Sequence, residues 1–263
     1  MSPPSLSIVI PAYNEAERLT STLCALEAHP AASDAELIVV DDGSTDRTAE
    51  VAHSLLDDRP GAQVISLAEN RGKGAAVRTG VAAATGSIIV FMDADLATDL
   101  SALQVVLAAL ECADVVVGSR AVPGAVVHNT TLGRAVMGRS FNRMVRVMGR
   151  VGVHDTQCGF KAFRADAAHL IFGVSRVDGF AFDAEALVHA RILGFRIREV
   201  PVEWTAVDGS SVRPVRDSSG AALDLLRVVV RTRPARVRAR AAELGWEPPS
   251  SDGSRPQGHS PPA

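Results

Sequence analysis

Short apolar runs alternate with helical segments over the first 120 residues of the chain. Each run is bounded by turn-forming or polar residues, which is typical of strands buried in a parallel sheet. The predicted strands are residues 6–10, 36–40, 62–67, 88–92 and 114–118. The first predicted helix follows the loop after the first strand and ends near residue 28, and three others cover residues 47–56, 74–84 and 100–110. The alternation predicts an α/β fold with a mainly parallel, doubly wound central sheet flanked by helices, and ligands at the carboxyl ends of its strands.

The alternation ends after residue 120. The sequence predicts a polar loop that enters a short strand at residues 155–163, a helix at 180–193 and a further strand at 195–202. Residues 132–148 and 217–233 carry apolar side chains at helical spacing with arginines among them. Such helices either cover the core of a domain or lie in an anionic membrane interface, and the sequence leaves both alternatives open.

Polar side chains collect at the carboxyl ends of the predicted strands. They are Asn14, Glu15, Asp41, Asp42, Arg71, Lys73, Asp93, Asp95, Ser119 and Arg120. The carboxyl ends of parallel strands meet at one edge of a sheet, so we expect these groups to lie together. Asp93 and Asp95 are one residue apart and can point to the same side of an extended chain. Either they flank a solvated turn, or a hard cation that carries a phosphate relieves their repulsion.

The composition of the chain excludes some classes of protein. The length of 263 residues suits one large α/β domain or two small ones, and 47% of the residues are hydrophobic. A net charge of -3 and an aromatic content of 4% argue against a nucleic-acid partner. The cysteines Cys24, Cys112 and Cys158 are too few and scattered for a disulfide framework or a zinc site, which favours a reducing cytoplasm. No GxGxxG follows the first strand, so an NAD-binding domain is not expected.

The ends of the chain predict its relation to a membrane. Neither a secretion signal nor an uncharged apolar run of membrane-spanning length is present, so we expect a cytoplasmic protein. A basic helix is predicted at 234–246, and its arginines suit peripheral contact with anionic lipid at the inner face of the membrane. Residues 1–5 are expected to be flexible and 247–263 to be disordered.

Seven motifs in order resemble a known family. Four of them, at 11–15, 40–46, 70–74 and 92–98, resemble family-2 inverting glycosyltransferases of the GT-A fold: PAYNE, VDDGSTD, NRGKG and MDADLAT. With GSR at 118–120, DTQCGFKAF at 155–163 and FDAE at 182–185, the set is most similar to the dolichyl-phosphate glucosyltransferase group. The resemblance implies a GT-A domain over 6–233, divided into a nucleotide-sugar-binding half at 6–120 and an acceptor-binding half at 121–233.

The resemblance also implies roles for individual residues. The residues implied in donor binding are Pro11, Tyr13, Glu15, Asp42, Lys73, Asp93 and Arg213, the last within a loop at 209–213 that closes over the diphosphate. Asp42 would lie near the uracil or ribose. Asp95 would be the principal ligand of Mg²⁺ or Mn²⁺, with Asp93 on the donor side of the ion. The residues implied in acceptor binding are Arg120, Gln157, Lys161 and Arg164.

The implied reaction moves a hexose, glucose from UDP-glucose, to a polyprenyl or dolichyl phosphate. A phosphate ester is already anionic near neutral pH, with a second pKa of about 6, whereas a hydroxyl acceptor needs a general base. Asp183 or Glu185 could be that base, and Asp183 could instead cap a helix. Related mannosyltransferases often carry Gln where Ala97 stands, so Ala97 favours the glucosyl branch and leaves fewer protein ligands on the metal.

Several alternatives remain open at this point. The donor could be GDP-mannose, and the acceptor could be another lipid or a soluble glycan. A non-catalytic nucleotide-sugar-binding protein would retain the same fold. The sequence leaves the oligomeric state undetermined.

Overall fold

A computed structural model describes residues 5–129, 142–147, 149, 151–207 and 232–247. Its strands are β1 (Leu6–Ala12), β2 (Glu36–Asp41), β3 (Ala62–Ser66), β4 (Ile88–Met92), β5 (Val115–Ser119), β6 (Val126–His128), β7 (Phe160–Arg164), β8 (Ile197–Pro201) and β9 (Glu203–Thr205). Its helices are α1 (Ala16–Ala28), α2 (Thr48–Leu56), α3 (Lys73–Ala83), α4 (Ser101–Ala109), α5 (Ala165–Val174), α6 (Phe182–Ile192) and α7 (Pro234–Glu243). A 3-10 turn spans Pro30–Ala32, and residues 142–147 are also helical.

The central sheet has seven strands in the order β3-β2-β1-β4-β7-β5-β8. Every neighbouring pair is parallel except those that involve β7, which is antiparallel to both β4 and β5. The predicted mainly parallel α/β fold is therefore confirmed. The other six strands all end at one edge of the sheet, which we call the carboxyl edge. Because β7 runs the other way, it begins at this edge with Phe160 and ends at the opposite edge with Arg164.

Two apolar cores cover the two faces of the sheet. One contains side chains of α3, α5, α6 and α7, and the other contains side chains of α1, α2 and α4. In the first core, the ring of Phe91 on β4 lies 6.0 Å from that of Phe163 on β7 and 5.7 Å from that of Phe182 on α6, measured between centroids. Aromatic contacts of this kind bury large areas and fix the start of α6 beside the end of β4.

The first strand is longer than the sequence predicts. We expected it to end before Pro11, but β1 continues through Ala12. It pairs with β4 only as far as Val9, whereas its pairing with β2 extends to Ala12. Proline has no N–H to donate to a ladder. It is accommodated because the ladder with β4 has already ended where Pro11 lies.

Three elements of the structure were not predicted from the sequence, and two predicted helices lie largely outside the described residues. The short pair β6 and β9 and the helix α5 were not predicted, because three-residue strands have no detectable period and α5 follows β7 without a break. The predicted helix at 217–233 falls almost entirely within 208–231, outside the described residues. Residues 132–141 and 148 of the predicted helix at 132–148 also lie outside them. The chain ends at 1–4 and 248–263 also lie outside them.

Helix α7 lies within the range predicted for a basic C-terminal helix. Val237 and Ala241 on one face are buried in the core that α5 and α6 share. Arg233, Arg236 and Arg238 are exposed. The protein therefore covers the apolar face of this helix, and the exposed face carries arginines.

Glycine at position 80 permits the close approach of α3 to the sheet. A Cβ added at Gly80 would lie 2.3 Å from a methyl group of Val9, which is fully buried in β1. We expect Gly80→Ala to destabilise the protein by about 1–2 kcal/mol, since overpacking costs about 1–3 kcal/mol and alanine regains up to about 1 kcal/mol in helix propensity. Urea unfolding measures this difference. Gly152→Ala is the matched control, because nothing lies within 4 Å of a Cβ there; equal stability of the two variants would contradict the packing argument.

Candidate active site

The candidate site lies at the carboxyl edge between β1 and β4, where the strand order reverses. Ligands of open α/β sheets bind at such a switch point. Glu15 follows β1, Asp93 and Asp95 follow β4, and Lys73 is the first residue of α3. The predicted gathering of polar groups from separate strand ends is thus present in the fold.

Lys73 forms an ion pair with Asp93 at the centre of this edge. The side chain of Lys73 is 23% exposed and that of Asp93 is 36% exposed, so both can be reached by a ligand. Burial acts to lower the pKa of Lys73, but the carboxylates of Asp93 and Asp183 outweigh it and raise that pKa. Lys73 is therefore a firmly charged cation beside the Asp93 carboxylate.

Asp95 lies next to this pair with fewer partners. Within the described residues, its one hydrogen-bond donor is the N–H of Ala97, 3.0 Å from Oδ1. Burial, together with the negative charge of Asp93, raises the pKa of Asp95. The charges of Lys73 and Arg18 act in the opposite direction, but in the described part of the chain Asp95 forms no ion pair.

Glu15 adds a third carboxylate near the two aspartates. Its Oε2 lies 2.5 Å from Nε of Arg18, one turn further along the chain. Burial raises the pKa of Glu15 despite this partner, and the charges of Asp95 and Asp93 add to the effect. Tyr13 is half-buried beside it, whereas Pro11 is buried within β1.

Asp42 supports the loop that precedes Lys73. Its two carboxylate oxygens accept the N–H groups of Arg71 and Gly72, each at 2.8 Å, and the residue is only 3% exposed. Gly72 has a φ of +103°, and a Cβ there would lie 2.5 Å from the carbonyl oxygen of Asp178. Asp42 therefore fixes the entry to α3, a role that the sequence did not indicate.

Gly159 contacts Asp93 from the other side. The N–H of Asp93 donates to the carbonyl of Gly159 at 3.1 Å. A Cβ at position 159 would lie 1.9 Å from Oδ2 of Asp93, so only glycine fits there. Sequence analysis missed this residue; its signal was a lone glycine just before a strand, which is a common sign of close backbone approach.

Lys161 and Asp183 form a second ion pair, which is buried. The side chain of Lys161 is 0% exposed, so the predicted contact of Lys161 with an acceptor phosphate is corrected. The correction follows from the antiparallel direction of β7, which takes Lys161 into the interior between β4 and β5. Asp183 lies inside α6, whose N-cap is Ala181, and so does not cap the helix. Burial raises the pKa of Asp183.

Arg164 is also corrected as an acceptor-binding residue. It pairs with Ile88, the first residue of β4, and is therefore at the edge of the sheet opposite Asp93. Its Nη2 donates to the carbonyl of Leu110 at 3.2 Å. The sequence motif contains Arg164, but the direction of β7 carries it away from the site.

Arg120 is held at the carboxyl edge by Asp155. Nε of Arg120 donates to Oδ2 of Asp155 at 2.7 Å and Nη2 donates to Oδ1 at 2.9 Å, a bidentate fork. The guanidinium also lies 5.1 Å from the centroid of the Trp204 ring. Burial opposes ionisation of Asp155, but the Arg120 side chain outweighs it and lowers the pKa of Asp155. The side chain of Arg120 is still 28% exposed and can contact an anion.

Gln157 follows two residues after Asp155 on the same loop. The residue is half-buried, and within the described part of the chain its buried Nε2 has no hydrogen-bond partner. An amide donor without a partner is costly unless a ligand or water accepts from it. Gln157 is therefore available to a ligand, as Arg120 is.

Glu185 faces a neighbouring loop. Its Oε2 accepts the N–H groups of Arg176 and Val177, both at 2.9 Å. Asp178 in the same loop accepts the N–H of Gly74 at 2.7 Å, so the loop packs against the start of α3. Burial raises the pKa of Glu185 to about 7. Glu185 thus supports the surroundings of Lys73 from outside the site.

A GT-A glycosyltransferase is the class of protein that this sheet and this cluster at its switch point define. Residues 7–172 match glycosyl transferase family 2, and the chain belongs to that family. The predictions of fold, family and enzyme class are confirmed. The predicted Arg213 lies outside the described residues.

Curated relatives and solved structures agree with this assignment. The chain is 35% identical over 239 residues to a dolichyl-phosphate beta-glucosyltransferase of Dictyostelium discoideum, covering 85% of this chain and 73% of that protein. It is 37% identical over 243 residues to the Drosophila melanogaster protein of the same name, covering 86% and 74%. Glucosyl-3-phosphoglycerate synthase from Mycobacterium tuberculosis, solved with Mn²⁺, UDP and glucosyl-3-phosphoglycerate, shares the fold with a TM-score of 0.62 at 22% identity, over 91% of this chain and 80% of that chain.

Glu185 and His189 should give opposite pH dependence of stability. Burial raises the pKa of Glu185 from 4.5 to about 7 and lowers that of His189 from 6.5 to about 4. The contribution of Glu185 is present below pH 4.5 and lost as pH rises through 7, whereas that of His189 is present above pH 6.5 and lost as pH falls through 4. In the wild type the two effects offset each other between about pH 4.5 and 6.5.

Glu185→Gln and His189→Gln separate the two effects. Relative to wild type, we expect Glu185→Gln to become more stable by about 1–3 kcal/mol as pH rises from 4.5 to 7, since a pKa unit corresponds to about 1.4 kcal/mol. His189→Gln should gain relative stability as pH falls from 6.5 to 4. Urea unfolding across this range measures both, and parallel curves for the three proteins would contradict the assignment.

Proposed function

We propose that the protein is an inverting transferase that moves glucose from UDP-glucose to a polyprenyl or dolichyl phosphate. The observation that carries the proposal is the cluster of Lys73, Asp93 and Asp95 at the switch point of the sheet. Two further findings support the substrates. Curated relatives at 35–37% identity are named dolichyl-phosphate beta-glucosyltransferases, and a structural neighbour was crystallised with UDP-glucose.

The donor would bind along the ends of β1, β2 and β4. Tyr13, Glu15, Lys73 and Asp93 are the accessible members of the proposed donor set among the described residues, and Lys73 would face the diphosphate. Pro11 and Asp42 are buried and would act by shaping the backbone around the nucleotide. Arg213 remains a predicted member of this set.

Asp95 is the residue that we assign to a divalent metal. Carboxylate oxygens are the ligands that Mg²⁺ prefers, and a cation would offset the burial and the Asp93 charge that raise the pKa of Asp95. Asp93 is already paired with Lys73 and would be the secondary ligand. Within the described residues, no group of three or more His, Cys, Asp or Glu side chains could hold a metal, so the donor phosphates or water would complete the shell. A bound metal supplies Lewis-acid stabilisation of the leaving diphosphate.

The surroundings of the two candidate bases favour a phosphate acceptor. Asp183 is paired with Lys161, and Glu185 accepts two backbone N–H groups outside the site. A sugar or protein hydroxyl needs a general base within hydrogen-bond reach, whereas a phosphate monoester is already a nucleophilic anion. Neither Asp183 nor Glu185 therefore suits a hydroxyl acceptor.

Arg120 and Gln157 would bind the acceptor phosphate. A guanidinium offers a planar set of donors that matches phosphate oxygens, and Asp155 fixes its orientation before the ligand arrives. The Gln157 amide would add a further donor from the same loop. Lys161 and Arg164 are not part of this assignment.

A lipid acceptor implies work at a membrane surface. No helix in the described residues is long and apolar enough to cross a bilayer. We propose peripheral contact at the cytoplasmic face, to which Arg233, Arg236 and Arg238 of α7 would contribute by attraction to anionic headgroups. Each basic residue near such a surface contributes about 1 kcal/mol.

The substrates can be tested directly with purified protein. We expect radiolabel from UDP-glucose, but not from GDP-mannose, to enter the organic phase when polyprenyl phosphate and Mg²⁺ or Mn²⁺ are present, and EDTA to abolish the transfer. Transfer only from GDP-mannose would indicate a different donor. Transfer only to a water-soluble glycan would contradict the lipid acceptor, and UDP-glucose binding without any transfer would indicate a non-catalytic binding protein.

Asp95→Asn tests the metal assignment. We expect the rate of glucose transfer to fall about 100-fold or more, because a contact that stabilises the developing charge is lost. Binding of UDP measured by calorimetry should also lose its dependence on Mn²⁺. Asp99→Asn is the matched control, since Asp99 is an exposed carboxylate that accepts the N–H of Ser101 at 2.8 Å. Wild-type turnover by Asp95→Asn would remove Asp95 as the metal ligand.

A further inference from the structure

Lysine occurs at only two positions in the chain, Lys73 and Lys161. The chain has 27 basic Lys and Arg residues, so the remaining 25 are arginine. Both lysines lie in the same group of charges beside Asp93. An ammonium group is compact, whereas a guanidinium is a wide planar fork, so the two residues are not interchangeable in a confined position. The use of lysine here indicates a geometric requirement at both positions.

The ammonium of Lys161 is completely enclosed by protein groups. It forms an ion pair with Asp183, donates to the carbonyl of Cys158 at 2.7 Å, and lies 5.2 Å from the centroid of the Phe91 ring. The residue is 0% exposed. A buried charge is tolerated only when it is paired and hydrogen-bonded, and these contacts fulfil both conditions. No surface remains through which Lys161 could contact a substrate.

These contacts connect the segments that surround Asp93. Cys158 precedes Gly159, whose carbonyl accepts the N–H of Asp93 and whose Cα packs against the Asp93 carboxylate. Phe91 lies two residues before Asp93 on β4. Lys161 thus holds the loop and the strand that together fix the position of Asp93.

Asp183 makes the corresponding connection to Lys73. It follows Phe182, whose ring centroid lies 5.9 Å from Nζ of Lys73 and whose Cβ would be 2.6 Å from a Cβ added at Gly74. The negative charge of Asp183 also acts on Lys73 directly. The start of α6 is therefore packed against the start of α3, and Asp183 ties that start to Lys161.

The charges of this group alternate. Asp93 and Asp183 are negative and Lys73 and Lys161 are positive, so the four charges balance one another. Asp95 adds a further negative charge beside Asp93, and its pKa is raised by burial and by Asp93. Removing either member of the buried Lys161–Asp183 pair would leave a lone buried charge within reach of Lys73 and Asp93. The intact pair therefore keeps an unpaired buried charge away from Lys73 and Asp93.

We propose that Lys161 and Asp183 are a positioning pair for sugar transfer, which fixes Lys73 and Asp93 in the arrangement that holds the donor diphosphate. Neither residue contacts the acceptor or removes a proton from it. This inference rests on the proposed function, so its test includes a measurement that needs no sugar transfer.

The double variant Lys161→Met/Asp183→Asn removes the pair without leaving a lone buried charge. Such replacements often preserve folding, whereas Lys161→Met alone should be strongly destabilised. We expect kcat of the folded double variant to fall at least tenfold while KM for the lipid acceptor changes less than about threefold. A tenfold rise in KM for the acceptor with unchanged kcat would instead assign Lys161 to acceptor binding and overturn the proposal.

Amine acylation followed by mass spectrometry tests the same idea without turnover. In the wild-type protein, Lys73 should react slowly with an acetylating reagent and Lys161 not at all, because their side chains are 23% and 0% exposed. In the double variant, Lys73 should react at least threefold faster because its surroundings are no longer fixed. An unchanged rate, together with wild-type kcat, would overturn the proposal. If the wild-type protein transfers no glucose, the proposed function fails, and the acylation rate still decides whether the pair positions Lys73.

Two further variants complete the test. Lys161→Arg retains the charge, and we expect it to lose at least tenfold in kcat because a guanidinium does not fit a fully enclosed position; full activity of this variant would contradict the geometric requirement. The Lys161→Arg variant also tests the proposal if the double variant does not fold. Glu36→Gln is the matched control at the opposite edge, where Glu36 accepts from Ser7 at 2.5 Å and from the N–H of Thr85 at 2.8 Å. It should leave both kcat and the acylation rate of Lys73 unchanged.

Discussion

The repulsion among carboxylates at the carboxyl edge is the constraint on which the site depends. Burial raises the pKa of Glu15 and of Asp95, and the negative charge of Asp93 adds to the rise in both. Arg18 compensates Glu15, and Lys73 compensates Asp93. Among the described residues, Asp95 accepts only the N–H of Ala97 and forms no ion pair, and its pKa is raised despite the charges of Lys73 and Arg18. A metal-bound diphosphate would supply the cation that this carboxylate needs. The site is therefore built to be completed by its donor.

Strand β7 brings the second half of the chain into this arrangement. A wholly parallel sheet would have placed the residue before each strand at the edge far from the ligand. Because β7 is antiparallel, Gly159 meets Asp93 at the carboxyl edge, and Lys161 enters the interior beside Phe91. The same direction sends Arg164 to the opposite edge. The antiparallel direction of β7 thus decides which residues of the DTQCGFKAFR stretch lie at or near the candidate site.

Asp155 orients Arg120, the residue that we propose for the acceptor phosphate, in a comparable way. It accepts from both Nε and Nη2 of Arg120 and from Nδ2 of Asn142 at 3.2 Å, and its own N–H donates to Glu199 at 2.9 Å. A charge-assisted fork of this kind costs little further ordering when a phosphate arrives. Asp155 thus orients Arg120 as Asp93 orients Lys73.

The sequence by itself determined the alternating strands and helices, the edge at which polar residues gather, and the family, because these depend on local period and on motifs with fixed spacing. It also indicated Asp93, Asp95 and Arg120, which follow parallel strands closely, and Lys73, which ends the loop after β3. Only the tertiary structure decided where Lys161, Arg164 and Gly159 lie relative to the site, because the direction of β7 depends on long-range strand pairing. Burial likewise distinguishes Asp183 from Asp95. Both carboxylates have raised pKa values, but Asp183 is enclosed in the interior and paired with Lys161.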